Sequence, residues 1–335
     1  MKVSFATSPD TGKQTTNVAA YEALLQARHH LYKFSPDSMT RALRSLETAL
    51  SIDPDYAAAL TSMAMYYCRL AEMGAANATE TLPRARAAAQ RALSLDGGMA
   101  GAHAALGVVS AVGDYDWAEA GNHFRRALEL DSVSAEVIAP YAVYYLKPQG
   151  RLEEALDELK RWLQRDPLSI IARNDCAWNL QMMRQHEDCV AMAEETLNLE
   201  PNDGFSMFCI IDARLAQERY TEAIVMAEKA AQVHQQWIVP LAFLGISYAR
   251  SGRPADARRV MAEMHAMSAK SGYLHANAVA AVHVALGEMD MAADLLDQAI
   301  EQRELIITNL KVWPLYDDFR SHPRYSALLK KMNLA

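Results

Sequence analysis

The sequence predicts an all-α fold built from stacked helix pairs, and three observations predict it. Of the 335 residues 59 are Ala. Gly and Pro together supply only 26 residues, about 8%, against a usual share of about 12%. Abundant Ala with few helix breakers favours helices over turn-rich β-sandwiches and barrels. The third observation is an internal period, which favours a repeat array over the two compact domains that length alone suggests.

Composition and charge exclude several other classes of protein. The formal net charge of −8 disfavours a nucleic-acid-binding surface, and 51% hydrophobic residues exclude a disordered chain. The sequence has no apolar run long enough to predict a membrane-spanning helix, and residues 1–17 have none of signal-peptide length. The four cysteines form no CxxC pair. We therefore expect no disulfide framework, and we expect a reducing, cytoplasmic setting.

A small residue that opens an apolar helical stripe recurs along the chain. It occurs at Ala42, Ala85, Ala120, Ala155, Cys189, Ala223, Ala257 and Ala292. After a first step of 43 residues, the steps are 35, 35, 34, 34, 34 and 35. An acidic residue followed by Pro closes several units, at Asp53, Asp166 and Glu200. These steps predict about eight repeats, with units that start near residues 21, 57, 100, 136, 170, 204, 238 and 273.

Each unit is predicted to contain two helices. In the unit that starts near 238, Leu241, Leu244, Gly245 and Tyr248 have the spacing i, i+3, i+4, i+7 of one helical face. The run Ser-Gly-Arg-Pro at 251–254 ends that helix and allows the next to start at the proline. The same apolar spacing returns after it. Small residues where the two helices cross would allow them to approach closely.

Irregular steps and the ends of the chain define the domain organisation. The 43-residue step predicts a longer loop over 71–83, between the two helices of the second unit. The unit that starts near 100 carries one extra residue, at 114–117. We predict a flexible segment over 1–19, a repeat array over 20–310 and a C-terminal cap over 311–335.

The predicted cap breaks the repeat. Its last helix has an apolar stripe that would cover the exposed face of the final repeat, formed by Tyr325, Leu328, Leu329 and Met332. We expect the acidic pair Asp317 and Asp318 to cap or precede this helix.

The repeat residues resemble the tetratricopeptide repeat. The run from Leu241 to Tyr248, LAFLGISY, with Ala257 after it, fits the 34-residue pattern of that family. The run from His103 to Gly107 is a weaker copy. The resemblance implies an α-α superhelix, a solenoid of about eight helix-turn-helix repeats with a C-terminal capping helix.

Three stretches look like one bacterial subfamily of this repeat. They are residues 21–54, the run Tyr115-Asp116-Trp117, and the tail LKVWPLYDDFRSHPRYSALLKKMNL, which departs at Trp313 where the family usually has Asp. In that subfamily the array is the C-terminal sensory or interaction part of signalling proteins. Its N-terminal output part is a winged-helix domain, a nucleotide cyclase or a kinase, often with a TolB-like segment between. The resemblance implies either an excised fragment or a free-standing array.

The first helices of such an array line its concave face, and we predict the partner site there. Aligning the repeats places on that side Tyr141, Tyr144, Lys147, Asn174, Trp178, Gln181, Phe205, Phe208, Asp212, Phe243 and Arg250, with Met65, Arg69 and Val108 earlier in the chain. Aromatic and Arg side chains are the usual anchors of interfaces. We therefore predict a groove for a peptide or amphipathic helix of a partner protein. The alternative is that several of these rings pack within or between units.

The sequence offers little that predicts chemistry. Matching positions of successive first helices hold no Lys and Asn pair, which disfavours the carboxylate clamp of chaperone-binding arrays. No phosphate-binding or nucleophile motif occurs. We expect His275 and His283 to be satisfied histidines rather than metal ligands, and Cys176 and Cys189 to pack in the core.

We therefore predict a non-enzymatic scaffold for a protein partner. The prediction includes no catalytic residue, cofactor or metal site, no nucleic-acid or membrane partner, and a possible homo-oligomer. The alternative function is a sensory or regulatory domain that binds a ligand or partner and controls an output domain. A DNA-binding or cyclase domain encoded upstream would distinguish the two.

Overall fold

The computed structural model describes residues 15–31, 36–74, 76–235 and 237–335. Within these ranges the chain forms α-helices in consecutive pairs and no strand, which confirms the all-α prediction. Most of the predicted flexible segment 1–19 lies outside the described residues. No helix in the described ranges is both long enough and apolar enough to cross a membrane.

The first four helix pairs are α1 Val18–Leu31 with α2 Pro36–Ile52, α3 Ala57–Glu72 with α4 Ala78–Leu95, α5 Ala100–Val108 with α6 Trp117–Leu130, and α7 Ala135–Pro140 with α8 Leu152–Arg165. The next four are α9 Ile170–Met182 with α10 His186–Leu199, α11 Gly204–Ala216 with α12 Tyr220–Val233, α13 Ile238–Arg250 with α14 Pro254–Ser271, and α15 Ala276–Ala285 with α16 Met289–Glu301. Two 3₁₀ helices, Leu305–Lys311 and Pro314–Phe319, and α17 Tyr325–Lys331 follow. The first helix of each pair begins within three residues of a unit start predicted from the sequence.

The small residues of the period lie where the paired helices cross. All eight of them are fully buried. Gly107 shows why a small residue is needed: a Cβ atom there would lie 2.7 Å from Cε2 of Phe124 on α6, closer than two carbon atoms can approach. The regular spacing of small residues therefore reflects the close approach of the paired helices.

Two first helices widen into π-helical turns, over Val109–Asp114 after α5 and over Tyr141–Leu146 after α7. These helices belong to the two consecutive 35-residue steps. A π turn holds one more residue than an α turn. The extra residue predicted at 114–117 is thus absorbed by the helix that precedes it.

The prediction of a loop over 71–83 is wrong in its second half, because α4 already begins at Ala78 and carries Pro83 in its second turn. Asn77 starts this helix: its Oδ1 accepts a hydrogen bond from the backbone N–H of Thr79 at 3.0 Å. An Asn side chain satisfies an otherwise unpaired donor of the first turn. The insertion therefore lengthens α4 as well as the connection before it.

The turns inside the repeats also follow the period. Gly150, Arg184, Glu218, Gly252 and Gly287 all have positive φ, and they are spaced by 34, 34, 34 and 35 residues. Each lies between the two helices of a pair. The left-handed conformation favours glycine, so Arg184 and Glu218 occupy a strained position in their repeats.

The chain also divides into two larger compact units that each contain several repeats. Residues 1–141 are called the first unit from here on, and residues 142–335 the second unit. Within the first unit α1, α3, α5 and α7 contact one another in order, and within the second α9, α11, α13 and α15 do so. The second helices pack behind them. In each unit the first helices therefore form one continuous face.

Candidate functional site

The inner face of the second unit, formed by α9, α11, α13 and α15, carries most of the predicted groove residues. The chain's own tail segment, residues 305–319, packs against it through Trp313 and the second 3₁₀ helix, while the first 3₁₀ helix contacts α16. Trp313 lies at its centre: the ring centroid is 5.8 Å from that of Trp178, edge to face, and Nε1 donates a hydrogen bond of 2.7 Å to Oδ2 of Asp212. The hydroxyl of Tyr316 donates to Oδ1 of Asn277 at 2.6 Å. Trp313, in the connection between the two 3₁₀ helices, therefore covers Trp178 and Asp212.

Two ion pairs hold the acidic residues of the tail segment. Arg184 contacts Asp317 at 2.6 Å, and Arg250 contacts Asp318 at 2.9 Å. Of the two roles expected for the acidic pair, the structure shows that it precedes the last helix and does not cap it, because α17 begins at Tyr325 and has no side-chain cap. Asp317 and Asp318 instead pair with the guanidinium groups of Arg184, in the turn after α9, and Arg250, the last residue of α13.

The last helix, α17, packs on α16. Leu328, Leu329 and Met332 of its predicted apolar stripe are buried, and Lys331 pairs with Asp297 of α16. The segment predicted as one cap thus has two parts: α17 covers the end of the array, while the tail segment lies on the inner face.

Asp212 is a fully buried carboxyl at the centre of this arrangement. Burial raises its pKa to about 6, although hydrogen bonds from Trp313 and Gln181 and the charge of Arg250 favour the ionised form. Lys147 is also fully buried. Its Nζ lies 4.2 Å from the centroid of the Trp178 ring, a cation–π contact.

The aromatic residues of the predicted groove pack mainly on one another. The ring of Trp178 on α9 lies 5.6 Å from Phe205, which is 6.1 Å from Phe208 on α11. Phe208 in turn stacks on Phe243 of α13 at 5.4 Å and lies 4.7 Å from Trp237. The rings form a chain between successive repeats, as in the alternative interpretation of these residues.

Two polar residues of the predicted groove make polar contacts with other side chains of the second unit. Asn174 donates to Oδ2 of Asp203 at 2.8 Å and accepts from Ser206 at 2.7 Å, so it supports the N-terminal cap of α11. Oε1 of Gln181 lies 2.7 Å from Nδ1 of His186.

The remaining predicted residues lie at the start of the face or in the first unit. Tyr144 is half-buried in the second unit, whereas Tyr141 belongs to the first, where its ring is 5.6 Å from Phe124. Of the three earlier positions, Val108 is buried, while Met65 and Arg69 are half-buried.

Glu304 is an important residue that the sequence interpretation missed. Oε1 accepts a hydrogen bond from the backbone N–H of Ala276 at 2.7 Å, and Oε2 accepts one from Asn277 at 3.2 Å. The carboxylate thus caps α15 from 28 residues away, in the place of a local capping residue. Burial raises its pKa to about 7.

The two histidines considered as metal ligands lie just before α15 and within it. His275 precedes the helix, and burial lowers its pKa to about 4. Nδ1 of His283 lies 2.6 Å from Oε2 of Glu288. The described residues contain no group of three or more side chains placed to hold a metal ion.

Comparison with known proteins identifies relatives of part of the chain. No family model matches it. Over 171 residues it is 25% identical to the transcriptional regulator HilA of Salmonella typhimurium, and equally so to HilA of Salmonella typhi. That match covers 51% of this chain, and the chain spans only 31% of the regulator's length.

Two solved structures share the fold of this chain. A Rap protein complexed with Competence and Sporulation Factor aligns with a TM-score of 0.63, covering 94% of this chain and 98% of that one at 13% identity. A human IFIT1 dimer with m7Gppp-AAAA aligns with a TM-score of 0.57, covering 83% and 72% at 14% identity. At such identities the likeness shows the fold alone.

Proposed function

We propose that this chain, which has the tetratricopeptide-repeat fold, is a protein-interaction scaffold that holds an extended peptide segment on the inner face of its second unit. The observation that supports the proposal is the contact with the tail segment. The predicted groove residues Trp178, Asp212 and Arg250 all bind this piece of the chain itself.

The chemistry of that contact defines the segment that the face would accept. An indole N–H reaches a buried carboxyl at Asp212, and two carboxylates meet Arg184 and Arg250. An aromatic anchor in a dry pocket with charged pairs at its rim is a common arrangement in peptide recognition. A partner segment that has Trp-Pro followed by an aromatic and two acidic residues would make the same contacts, and it would exchange with the tail segment.

A labelled peptide of residues 311–322, KVWPLYDDFRSH, tests this exchange. In the wild-type chain the tethered segment competes at a high effective concentration. Trp313→Ala weakens the tethered copy, so the peptide should bind this variant at least about 10-fold more tightly than the wild type. Fluorescence anisotropy measures both affinities, and circular dichroism verifies that both proteins are folded.

Two controls make the result specific. A peptide with Ala in place of Trp should bind neither protein, and the exposed substitution Leu168→Ala should leave peptide affinity at the wild-type value. The proposal fails if the folded Trp313→Ala variant binds the peptide no better than the wild type does.

The second candidate function is control of a transcription-regulating output domain. The partial identity to a transcriptional regulator supports it. A winged-helix domain encoded in the same reading frame, or one that copurifies with this chain at fixed stoichiometry, would support this function. A native gene without such a domain, together with no copurifying DNA-binding protein, would contradict it.

The other functional predictions remain as they were made from the sequence. They are the lack of enzyme activity, the cytoplasmic location, the lack of a nucleic-acid or membrane partner, and possible self-association.

A further inference from the structure

The chain leaves the repeat array through a short connection after α16. This helix ends at Glu301, and the tail segment begins at Leu305. Between them Arg303 has a positive φ of 56°. Helix α14 also ends in the left-handed conformation, but it does so at Gly272, with a φ of 71°. Since that conformation is unfavourable for an L-residue and not for glycine, the connection after α16 is both short and strained.

The residues after Arg303 bind to repeats that precede them in the chain. Glu304 caps α15, Trp313 donates to Asp212 of α11, and α17 packs on α16. We call residues 304–335 the terminal segment. A second copy of the chain carries an identical terminal segment, so the segment of either copy would make these contacts with the same repeats.

The terminal segment carries enough apolar surface to hold two chains together. Trp313, Tyr316 and Phe319 are buried. Two chains that exchanged their terminal segments would bury six such aromatic side chains between them, roughly 900–1,500 Å² before the surface of the receiving repeats is counted. Leu328 and Leu329 are buried as well. The total reaches the range of about 1,200–2,000 Å² that specific, stable interfaces bury.

Two charge pairs at the rim define which segment the inner face accepts. Asp317 lies 2.6 Å from Arg184, and Asp318 lies 2.9 Å from Arg250. Partly exposed pairs of this kind add little affinity, but they set the register and exclude segments that lack the matching charges. The terminal segment of a second copy presents both carboxylates at the required distance from its Trp313.

We propose that the partner of the inner face is the terminal segment of a second copy, and that two chains exchange these segments reciprocally about a hinge at Gln302 and Arg303. The inference rests on the function proposed above, because the inner face must accept a segment other than its own. Exchange would re-form the same contacts between the chains and allow the hinge to extend. A short, strained hinge favours such an exchange. The tethered segment competes at a high effective concentration, so the dimer forms mainly on refolding at high chain concentration.

Reciprocal charge reversal in the full-length chain tests the exchange. One variant carries Arg184→Asp with Arg250→Asp, and the other carries Asp317→Arg with Asp318→Arg. Either variant alone places like charges at both pairs, whether the segment is its own or comes from an identical copy. In a mixed dimer with exchanged segments, opposite charges meet at all four pairs.

The two variants are refolded together and separately at low salt, and light scattering after gel filtration measures the mass. The mixture should contain at least about 10-fold more dimer than either variant alone. High salt should reduce this excess, because the pairs are partly exposed.

The hinge provides a second test. The wild-type chain refolded at millimolar concentration should contain dimer. Arg303→Gly relaxes the closed hinge and should raise the dissociation constant of the dimer by at least about 3-fold. Glu218→Gly is the matched control, because it removes a comparable positive φ of 58° from a turn outside the hinge. It should leave the dissociation constant of the dimer at the wild-type value.

The mixed dimer decides between the possible results. The proposal is overturned if the two charge-reversal variants, each shown to be helical by circular dichroism, form no mixed dimer after joint refolding. It is equally overturned if the mixed dimer persists when both chains also carry Trp313→Ala, since another surface would then join them. A free peptide that binds the Trp313→Ala chain without any mixed dimer would contradict the exchange alone. A mixed dimer without peptide binding would support the exchange and contradict the binding of separate peptides.

Discussion

Single buried side chains connect distant parts of the second unit. Asp212 receives the indole N–H of Trp313, and Glu304 receives the first backbone N–H groups of α15. Both carboxyls are removed from water, so their protonated forms are favoured. The stability of this unit should therefore depend on pH through these residues.

The pH dependence of Asp212 has a definite sign. Its folded pKa of about 6 lies above the ordinary value of about 3.9. The stabilisation by proton binding is therefore complete below about pH 4 and is lost as the pH rises through 6. Asp212→Asn, which stays neutral, should gain stability relative to the wild type by roughly 1 kcal/mol as the pH rises from 5 to 8.

Urea unfolding followed by circular dichroism at both pH values measures this gain. The exposed Asp188→Asn serves as control and should change stability equally at the two pH values. An Asp212→Asn effect that is the same at pH 5 and pH 8 would contradict the assignment. The comparison is made between variants because buried His275, whose lowered pKa gives the opposite slope, titrates in both proteins.

Gly107 tests the meaning of the small residues at the helix crossing. An added Cβ would meet the buried ring of Phe124 at 2.7 Å. Gly107→Ala should therefore destabilise the chain by about 1–3 kcal/mol, despite the better helix propensity of Ala. Gly97→Ala is the control, because its Cβ would meet no atom within 4 Å. Thermal unfolding that is equal in the two variants would contradict this account.

At the scale of elements, the turn between paired helices is the most regular feature. The same left-handed position recurs in six consecutive repeats, from Tyr115 to Gly287, with Gly in three of them. In the repeat of Glu218 the turn still closes through a bond of 2.8 Å from the N–H of Arg219 to the carbonyl of Arg214. The backbone conformation is thus required by the repeat, whichever residue occupies it.

Glu218→Gly should relieve the strain of a positive φ of 58°. The left-handed conformation costs an L-residue about 1–2 kcal/mol, and the larger entropy of unfolded Gly offsets part of that. We expect a net gain of about 0.5–1 kcal/mol in the free energy of unfolding. Ala216→Gly, two residues earlier on the exposed end of α11, should instead lower it. A loss of stability in both variants would argue against the strain.

At the scale of the whole molecule, the tail segment is the largest departure from the repeat. Trp313, Leu315, Tyr316 and Phe319 are all buried. Burial of each large apolar side chain contributes about 1.5–3 kcal/mol. Their sum is comparable to the total stability of a typical domain. The tail segment is thus part of the core of the second unit, as well as the occupant of its inner face.

Removal of residues 312–335 should therefore strip the second unit of much of its stability. Hydrogen exchange measured by mass spectrometry should show lower protection in α9, α11, α13 and α15. Trp313→Phe is a milder variant: it keeps a ring but leaves Asp212 without the indole donor, at a cost of about 1–3 kcal/mol. Unchanged protection in the truncated chain would contradict this role of the tail.

The helix pairs could be predicted from the sequence because the signals for them are local. The small residues recur at nearly constant steps, and the apolar spacing within each helix follows the helical period. The extra residues show the limit of this reasoning. Residue counts located the insertions, yet they did not decide between a loop, a longer α4 and a π turn, since backbone hydrogen bonding decides that.

The candidate site was predictable only as a face. Aligned repeats placed Trp178, Asp212 and Arg250 on the first helices, where they lie. Their partners are far away in the sequence: Trp313 is 101 residues from Asp212. The available signal was that Trp313 is where the tail departs from the pattern of the subfamily that it resembles. It indicated an unusual residue without indicating its partner.

The sequence by itself determined the all-α class, the helix pairs and the close crossings, because each depends on residues within one period of about 34 positions. Only the tertiary structure decided that the tail segment returns to the inner face and that Glu304 caps α15. These contacts depend on how the repeats stack and on which buried polar groups need a hydrogen-bond partner. Both are properties of the packed chain, which local periodicity does not encode.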